Sequence, residues 1–156
     1  MVEKFHNTEN TKPLNILLVE DDGGDAKAVK RTFSEAKIAN SIFRAEDGIE
    51  ALEILRGENG HEKMPSPYML LVDLNMPRMN GIEFVNELRK DPALKQSIVF
   101  ILTTSKSAED RAKAYNLNVA GYIVKETAGQ DFLQLVDLID SYWRLVELPA
   151  GERVNS

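Results

Sequence analysis

Tyr68-Met69-Leu70-Leu71-Val72 (YMLLV) is an unbroken apolar run, preceded by Pro65 and Pro67 and stopped by Asp73. A run this short between breakers reads as a strand, and the absence of polar alternation means burial on both faces. The loop Asn75-Met76-Pro77-Arg78-Met79-Asn80-Gly81 follows. Ile82, Phe84, Val85 and Leu88 then recur at helical spacing until Asp91-Pro92 ends the pattern.

The same strand-then-helix unit repeats outward in both directions. Toward the N-terminus, Leu14 to Val19 (LNILLV) is a strand that stops at Glu20-Asp21-Asp22. Gly23-Gly24-Asp25 leads into a helical pattern carried by Ala28, Val29, Phe33 and Ala36. Ser41 to Ala45 is a weaker strand, and Asp47-Gly48 opens a helix with Ile49, Leu52, Ile54 and Leu55. In isolation Asp-Gly signals a hairpin, but the helical spacing after it makes it a strand-to-helix turn. Toward the C-terminus, Ile98 to Leu102 (IVFIL) is a strand that runs into Thr103-Thr104-Ser105. Ser107 to Asn116 is a thinly apolar helix, Val119 to Val124 a fifth strand ending at Lys125, and Phe132 to Val146 a fifth helix. Strands alternating with helices five times predict an α/β fold, a parallel sheet with helices on both faces.

The 156 residues allow one domain. We expect a flexible tail over 1–12, the folded domain over 13–148 and a C-terminal tail over 149–156. Net charge is −6, from 19 Lys and Arg against 25 Asp and Glu, which disfavours nucleic acid as a partner. With no Cys, disulfides, thiolate metal sites and a cysteine nucleophile are excluded. His6 and His61 are far apart, outside any periodic segment, and read as solvated loop residues. No apolar run approaches the roughly 18 residues of a membrane span, and the first residues lack a signal-peptide pattern, so a cytoplasmic location and no membrane partner are expected.

In such sheets ligands bind beyond the carboxyl ends of the strands. Reading the strand ends therefore places Glu20, Asp21, Asp22, Asp73, Thr103 and Lys125 on one rim. Clustered carboxylates repel unless a cation holds them, and oxygen-only donors suit Mg2+. Such an ion, an ammonium and a hydroxyl would together stabilise a phosphoryl group, with the Asp73 carboxylate as acceptor. Each residue alone is ordinary: a helix-capping acid, a turn aspartate, a strand threonine, a solvated lysine.

The motifs Ile16-Leu17-Leu18-Val19-Glu20-Asp21-Asp22, Asp47-Gly48-Ile49-Glu50-Ala51-Leu52, Val72-Asp73-Leu74-Asn75-Met76-Pro77, Gly81-Ile82-Glu83-Phe84, Leu102-Thr103-Thr104-Ser105 and Gly121-Tyr122-Ile123-Val124-Lys125 stand in this order over nearly the whole chain. Asp73 and Thr103 are 30 positions apart, and Thr103 and Lys125 are 22. In these motifs and spacings the chain resembles the receiver domain of two-component response regulators. Ala114-Tyr115-Asn116 and Tyr142-Trp143 to Leu148-Pro149 are most similar to the single-domain regulators of bacterial phytochrome histidine kinases.

The resemblance implies a flavodoxin-like (βα)5 doubly wound fold with a five-stranded parallel sheet in the order 2-1-3-4-5. It implies a phosphoprotein of phosphorelay signal transduction, a phosphoryl acceptor and not a turnover enzyme. Asp73 would be the phosphorylated residue. The Mg2+ ligands would be Asp21, Asp73, the backbone carbonyl of Asn75, and Glu20 through water. Thr103 and Lys125 would bind the phosphoryl group and Tyr122 would follow as a rotameric switch. Asn75, Thr104 and Ser105 would set access to the site and phosphoryl lifetime. The implied partners are a sensor histidine kinase, of phytochrome type on the narrower resemblance, or a histidine phosphotransfer protein, and a downstream protein target. Trp143, Val146 and Leu148 either finish the core or form a homodimer patch on the face of the fourth helix, fifth strand and fifth helix.

Two residues depart from the family pattern: Thr104 stands where a small residue is common, so that its branched side chain would narrow access to Asp73, and Glu126 matters more. Glu126 stands where the family has a proline in a cis peptide after the lysine. A cis bond here would cost about 2.5–4 kcal/mol. A trans bond would move the Lys125 backbone, and Glu126 adds a negative charge near the site. The competing readings are a degenerate receiver that binds partners without phosphorylation, and a Mg2+-dependent phosphohydrolase. The second lacks its acid, because Asn75 stands two residues after Asp73. No Gly-rich phosphate loop follows the first strand, which argues against nucleotide binding.

Overall fold

A computed structural model of the chain describes residues 14–36, 41–128 and 132–145. Both expected tails, and Val146, Leu148 and Pro149, lie outside the described residues. The strands are β1 (Asn15–Val19), β2 (Ser41–Ala45), β3 (Tyr68–Val72), β4 (Val99–Thr103) and β5 (Gly121–Val124). The helices are α1 (Gly23–Glu35), α2 (Gly48–Arg56), α3 (Gly81–Lys90), α4 (Ala108–Asn116), α5 (Lys125–Ala128) and α6 (Leu133–Leu145). The strands form one parallel sheet in the order β2-β1-β3-β4-β5, as the resemblance implies. The four-residue α5 was not anticipated. It begins at Lys125, where the sequence suggested a strand end.

Alternation along each strand divides the interior into two cores. Leu17, Val19, Leu70, Val72, Val99 and Ile101 face one side, with Ala51, Leu52 and Leu55 of α2 and Phe84, Val85 and Leu88 of α3. Ile16, Leu18, Met69, Leu71, Phe100 and Leu102 face the other, with Val29 and Phe33 of α1 and Leu135, Val136 and Ile139 of α6. Burial of both side-chain sets explains why the strand sequences are apolar without interruption. Edge strand β2 is covered less well, and its sequence is correspondingly the most mixed.

Local chemistry sets the helix boundaries close to the site. Asp22, Asp47, Asn80 and Ser107 cap α1, α2, α3 and α4 with side-chain oxygens, so four loops leaving the sheet end in defined turns. Asn80 and Glu83 form a reciprocal capping box. Gly57 closes α2 with φ of 72°, a backbone conformation that disfavours side chains. Helix α4 is held weakly, since Ala114 is its one buried residue.

Candidate functional site

The carboxyl ends of β1 and β3 bring Glu20, Asp21 and Asp73 together. Each offers an oxygen, and the three oxygens lie within 4.8 Å of one another. Glu20 and Asp73 are buried, whereas Asp21 faces solvent. The backbone N–H of Asp73 donates to Val19 O at 3.0 Å, which extends the β1–β3 ladder by one residue and fixes the two acidic ends side by side. Arg44 from β2 donates to the carbonyls of Glu20 at 3.0 Å and Asp21 at 3.1 Å, holding the β1–α1 turn from the opposite side. Gly81 packs on the other flank. A Cβ there would collide with the Asp73 carbonyl oxygen and with Leu74 Cα, so only glycine lets the β3–α3 loop fold back this closely.

Lys125 enters the cluster from the end of β5. Its Nζ is 2.7 Å from Glu20 Oε1, 2.7 Å from Asp25 Oδ2 and 3.7 Å from Asp73 Oδ2. Burial acts to depress the Lys125 ammonium, but hydrogen bonds to Asp25 and Glu20 outweigh it and hold the ammonium above the usual lysine range. Burial pushes the Glu20 carboxyl up to about 7, against the pull of Lys125. Asp73 Oδ1 is buried and has no hydrogen-bond partner among the described residues.

An unpartnered buried carboxylate oxygen is costly, and here it lies beside two further carboxylates. A small hard cation would satisfy that oxygen and offset the repulsion. The donor set, all oxygen, fits Mg2+ or Mn2+ better than a softer metal.

Thr103, at the end of β4, is fully buried, and its Oγ1 accepts from the Ser105 N–H at 3.3 Å. The adjacent Thr104 is exposed. Ser105 Oγ donates to Asp110 Oδ2 at 2.7 Å, tying the loop to the first turn of α4. Tyr122 is half-buried on the α4 side, where its hydroxyl donates to Ser105 O at 3.0 Å and Arg111 stacks over its ring at 5.8 Å. Asn75 is exposed on the loop after Asp73.

Of the two peptide geometries the sequence left open at Glu126, the structure has the trans one. The one cis peptide among the described residues is Ser66–Pro67, so Lys125–Glu126 is trans. The trans bond lets the chain turn into α5 directly, and Lys125 Nζ still reaches the carboxylates. The Glu126 carboxylate points to Lys106 of the β4–α4 loop at 2.9 Å, so its charge is partnered at the surface.

The structure thus joins Glu20, Asp21, Asp73 and Lys125 directly and sets Thr103 at the end of the adjacent strand. Sequence reading missed Asp25 and Arg44. Asp25 stands 100 positions from the lysine it meets. Its one signal was an acid in the first turn of the helix that follows the acidic pair.

Residues 16–137 match the response regulator receiver domain family. The response regulator Rcp1 of Synechocystis sp. is 34% identical over 144 residues, covering 92% of this chain and 98% of Rcp1. The crystal structure of the phosphorylated cyanobacterial phytochrome response regulator RcpA superposes with a TM-score of 0.79 at 31% identity, covering 88% of this chain and 99% of RcpA. The Mn(2+)-bound form of Rcp1 gives a TM-score of 0.77 at 34% identity, covering 88% of this chain and all of that one. With the family match spanning most of the chain and the fold in agreement, the chain belongs to the receiver-domain family of two-component response regulators.

Proposed function

We propose that this receiver accepts a phosphoryl group on Asp73 from a phosphohistidine of a partner kinase or phosphotransfer protein. A carboxylate oxygen of Asp73 forms the new P–O bond as the P–N bond breaks, and the electron pair returns to the imidazole. The observation that carries this reading is the buried, unpartnered Asp73 Oδ1 within a carboxylate trio that faces one lysine. Glu20, Asp21, Asp73 and the Asn75 carbonyl would hold Mg2+, with Glu20 acting through water. The ion would neutralise charge on the transferring oxygens. Lys125 and Thr103 donate to phosphoryl oxygens, and Asn75, Thr104 and Ser105 govern the approach of water and so the lifetime of the acyl phosphate.

The phosphorylated state biases the face formed by α4, β5 and α6. Tyr122 is the link, because it hydrogen-bonds the loop that follows Thr103. That face meets a downstream protein. Tyr115, Leu138 and Leu145 also leave apolar surface on α4 and α6, which suits self-association of two copies. Because RcpA is a phytochrome response regulator, a phytochrome-type histidine kinase is the donor we propose.

Intact-protein mass after incubation with Mg2+ and acetyl phosphate tests the acceptor role. We expect one added phosphoryl group, absent in Asp73→Asn and after chelation. No addition from acetyl phosphate or from a cognate kinase would instead favour a degenerate receiver that signals without phosphorylation. For self-association, sedimentation should show a concentration-dependent dimer that Leu145→Lys shifts to monomer. A wild-type monomer at all concentrations would remove that part of the proposal.

A further inference from the structure

Lys125 has three N–H donors, and its two short contacts go to Glu20 and Asp25, not to Asp73. Both are 2.7 Å, the length of charge-assisted hydrogen bonds, whereas the 3.7 Å to Asp73 exceeds hydrogen-bonding distance. We infer that Asp25 is a positioning residue that holds the Lys125 ammonium back from Asp73 in the resting site and yields it when an anion arrives. The inference rests on the reading of Lys125 as a phosphoryl-binding group.

The two acids that share the ammonium differ in what releasing it would cost. Glu20 is 2% exposed and surrounded by Asp73 and Lys125, so loss of the lysine would leave a buried charge. Asp25 is 38% exposed on the first turn of α1, and water can replace the ammonium there. Its backbone N–H is fixed by Asp22 Oδ1 at 2.9 Å, so the carboxylate is presented to Lys125 from a rigid cap. When a phosphoryl group adds negative charge at Asp73, the Asp25 contact is the one that gives way. Asp25 therefore competes with a bound anion for one ammonium. In the resting state the same contact keeps the ammonium from displacing a cation at Asp73.

Two binding measurements follow with opposite signs. For Asp25→Asn, beryllofluoride at saturating Mg2+ should bind threefold to tenfold more tightly than to wild type, read by calorimetry. Mn2+ alone, read by electron paramagnetic resonance titration, should bind twofold to fivefold more weakly, because the freed lysine turns to Asp73. Asp25→Glu, which restores the charge, should return both toward wild type. In a Lys125→Gln background the beryllofluoride gain should vanish. A loosened α1 would weaken both ligands, and that result would overturn the inference. So would unchanged affinities, or an equal anion gain in the Lys125→Gln background. If wild-type protein binds no beryllofluoride with Mg2+ present, the phosphoryl-site reading itself fails and Asp25 loses its role with it.

Discussion

Asp47 shows how one residue can serve the scaffold while standing near the chemistry. It is buried, it caps α2 by accepting from the Glu50 N–H at 2.9 Å, and it accepts from Arg78 Nε at 2.6 Å. Burial acts to raise its pKa, but the hydrogen bonds from Arg78 and the Glu50 backbone prevail and hold it below 3.8. A carboxyl depressed in the folded state stabilises the fold above its unfolded pKa, and the contribution disappears as pH falls through the folded value. Asp47→Ala should therefore cost about 1 kcal/mol near neutrality through loss of the cap. The gap between variant and wild type should narrow below pH 3.8. Urea midpoints at pH 7 and pH 3 check this, and a gap independent of pH would show that the charge of Asp47 contributes nothing. Asp47-Gly48 was legible as a helix start because a cap is a local signal. The Arg78 contact was not, because it joins positions 31 apart.

Elements close to the site are restrained unequally, and α4 is the least anchored of the long helices. Its C-terminal end is fastened by Arg89 of α3. The guanidinium donates to Leu117 O at 2.7 Å, Lys95 O at 2.7 Å, Ser97 O at 2.8 Å and Asn118 O at 2.9 Å. Burial lowers the pKa of Arg89, yet an arginine remains charged at any working pH. Arg89→Met would leave these carbonyls without their donor and should cost about 2–3 kcal/mol. Hydrogen exchange should accelerate in α4 and the β4–α4 loop more than in β1. Uniform acceleration would mean that Arg89 supports the whole fold and not a pivot for α4. By contrast, Lys106 and Glu126 are 64% and 71% exposed, so Glu126→Gln should change stability by less than about 1 kcal/mol. The thin apolar content of α4 was readable from Ser107 to Asn116, and so was its weak packing. The short α5 was not, because four residues carry too little periodicity to separate a helical turn from a loop. Arg89 was equally silent, since nothing in its own segment announces backbone carbonyls 28 positions away.

At the scale of the molecule, the sheet is a partition with the acidic site at one edge and a separate core on each side. The strand runs disclosed that arrangement because sequence records burial on two faces directly. The convergence of Glu20, Asp21, Asp73 and Lys125 was legible once the strands were taken as parallel, since parallel order sends all carboxyl ends to one rim. The partition has a measurable consequence. Ile16 of β1 lies in the α1–α6 core and Ile101 of β4 in the α2–α3 core, both fully buried, with β3 between their strands. Each Ile→Val change removes one methylene and should cost about 0.5–1.5 kcal/mol. Two strand spacings across the sheet and three residues along it put the sites roughly 14 Å apart, in separate cores. The double variant should therefore be additive within about 0.5 kcal/mol in urea unfolding. A larger coupling would mean that a defect on one face is relayed through the sheet to the other. In that case a change at the rim would reach α1 as readily as α4, and the switching surface would extend beyond the face formed by α4, β5 and α6.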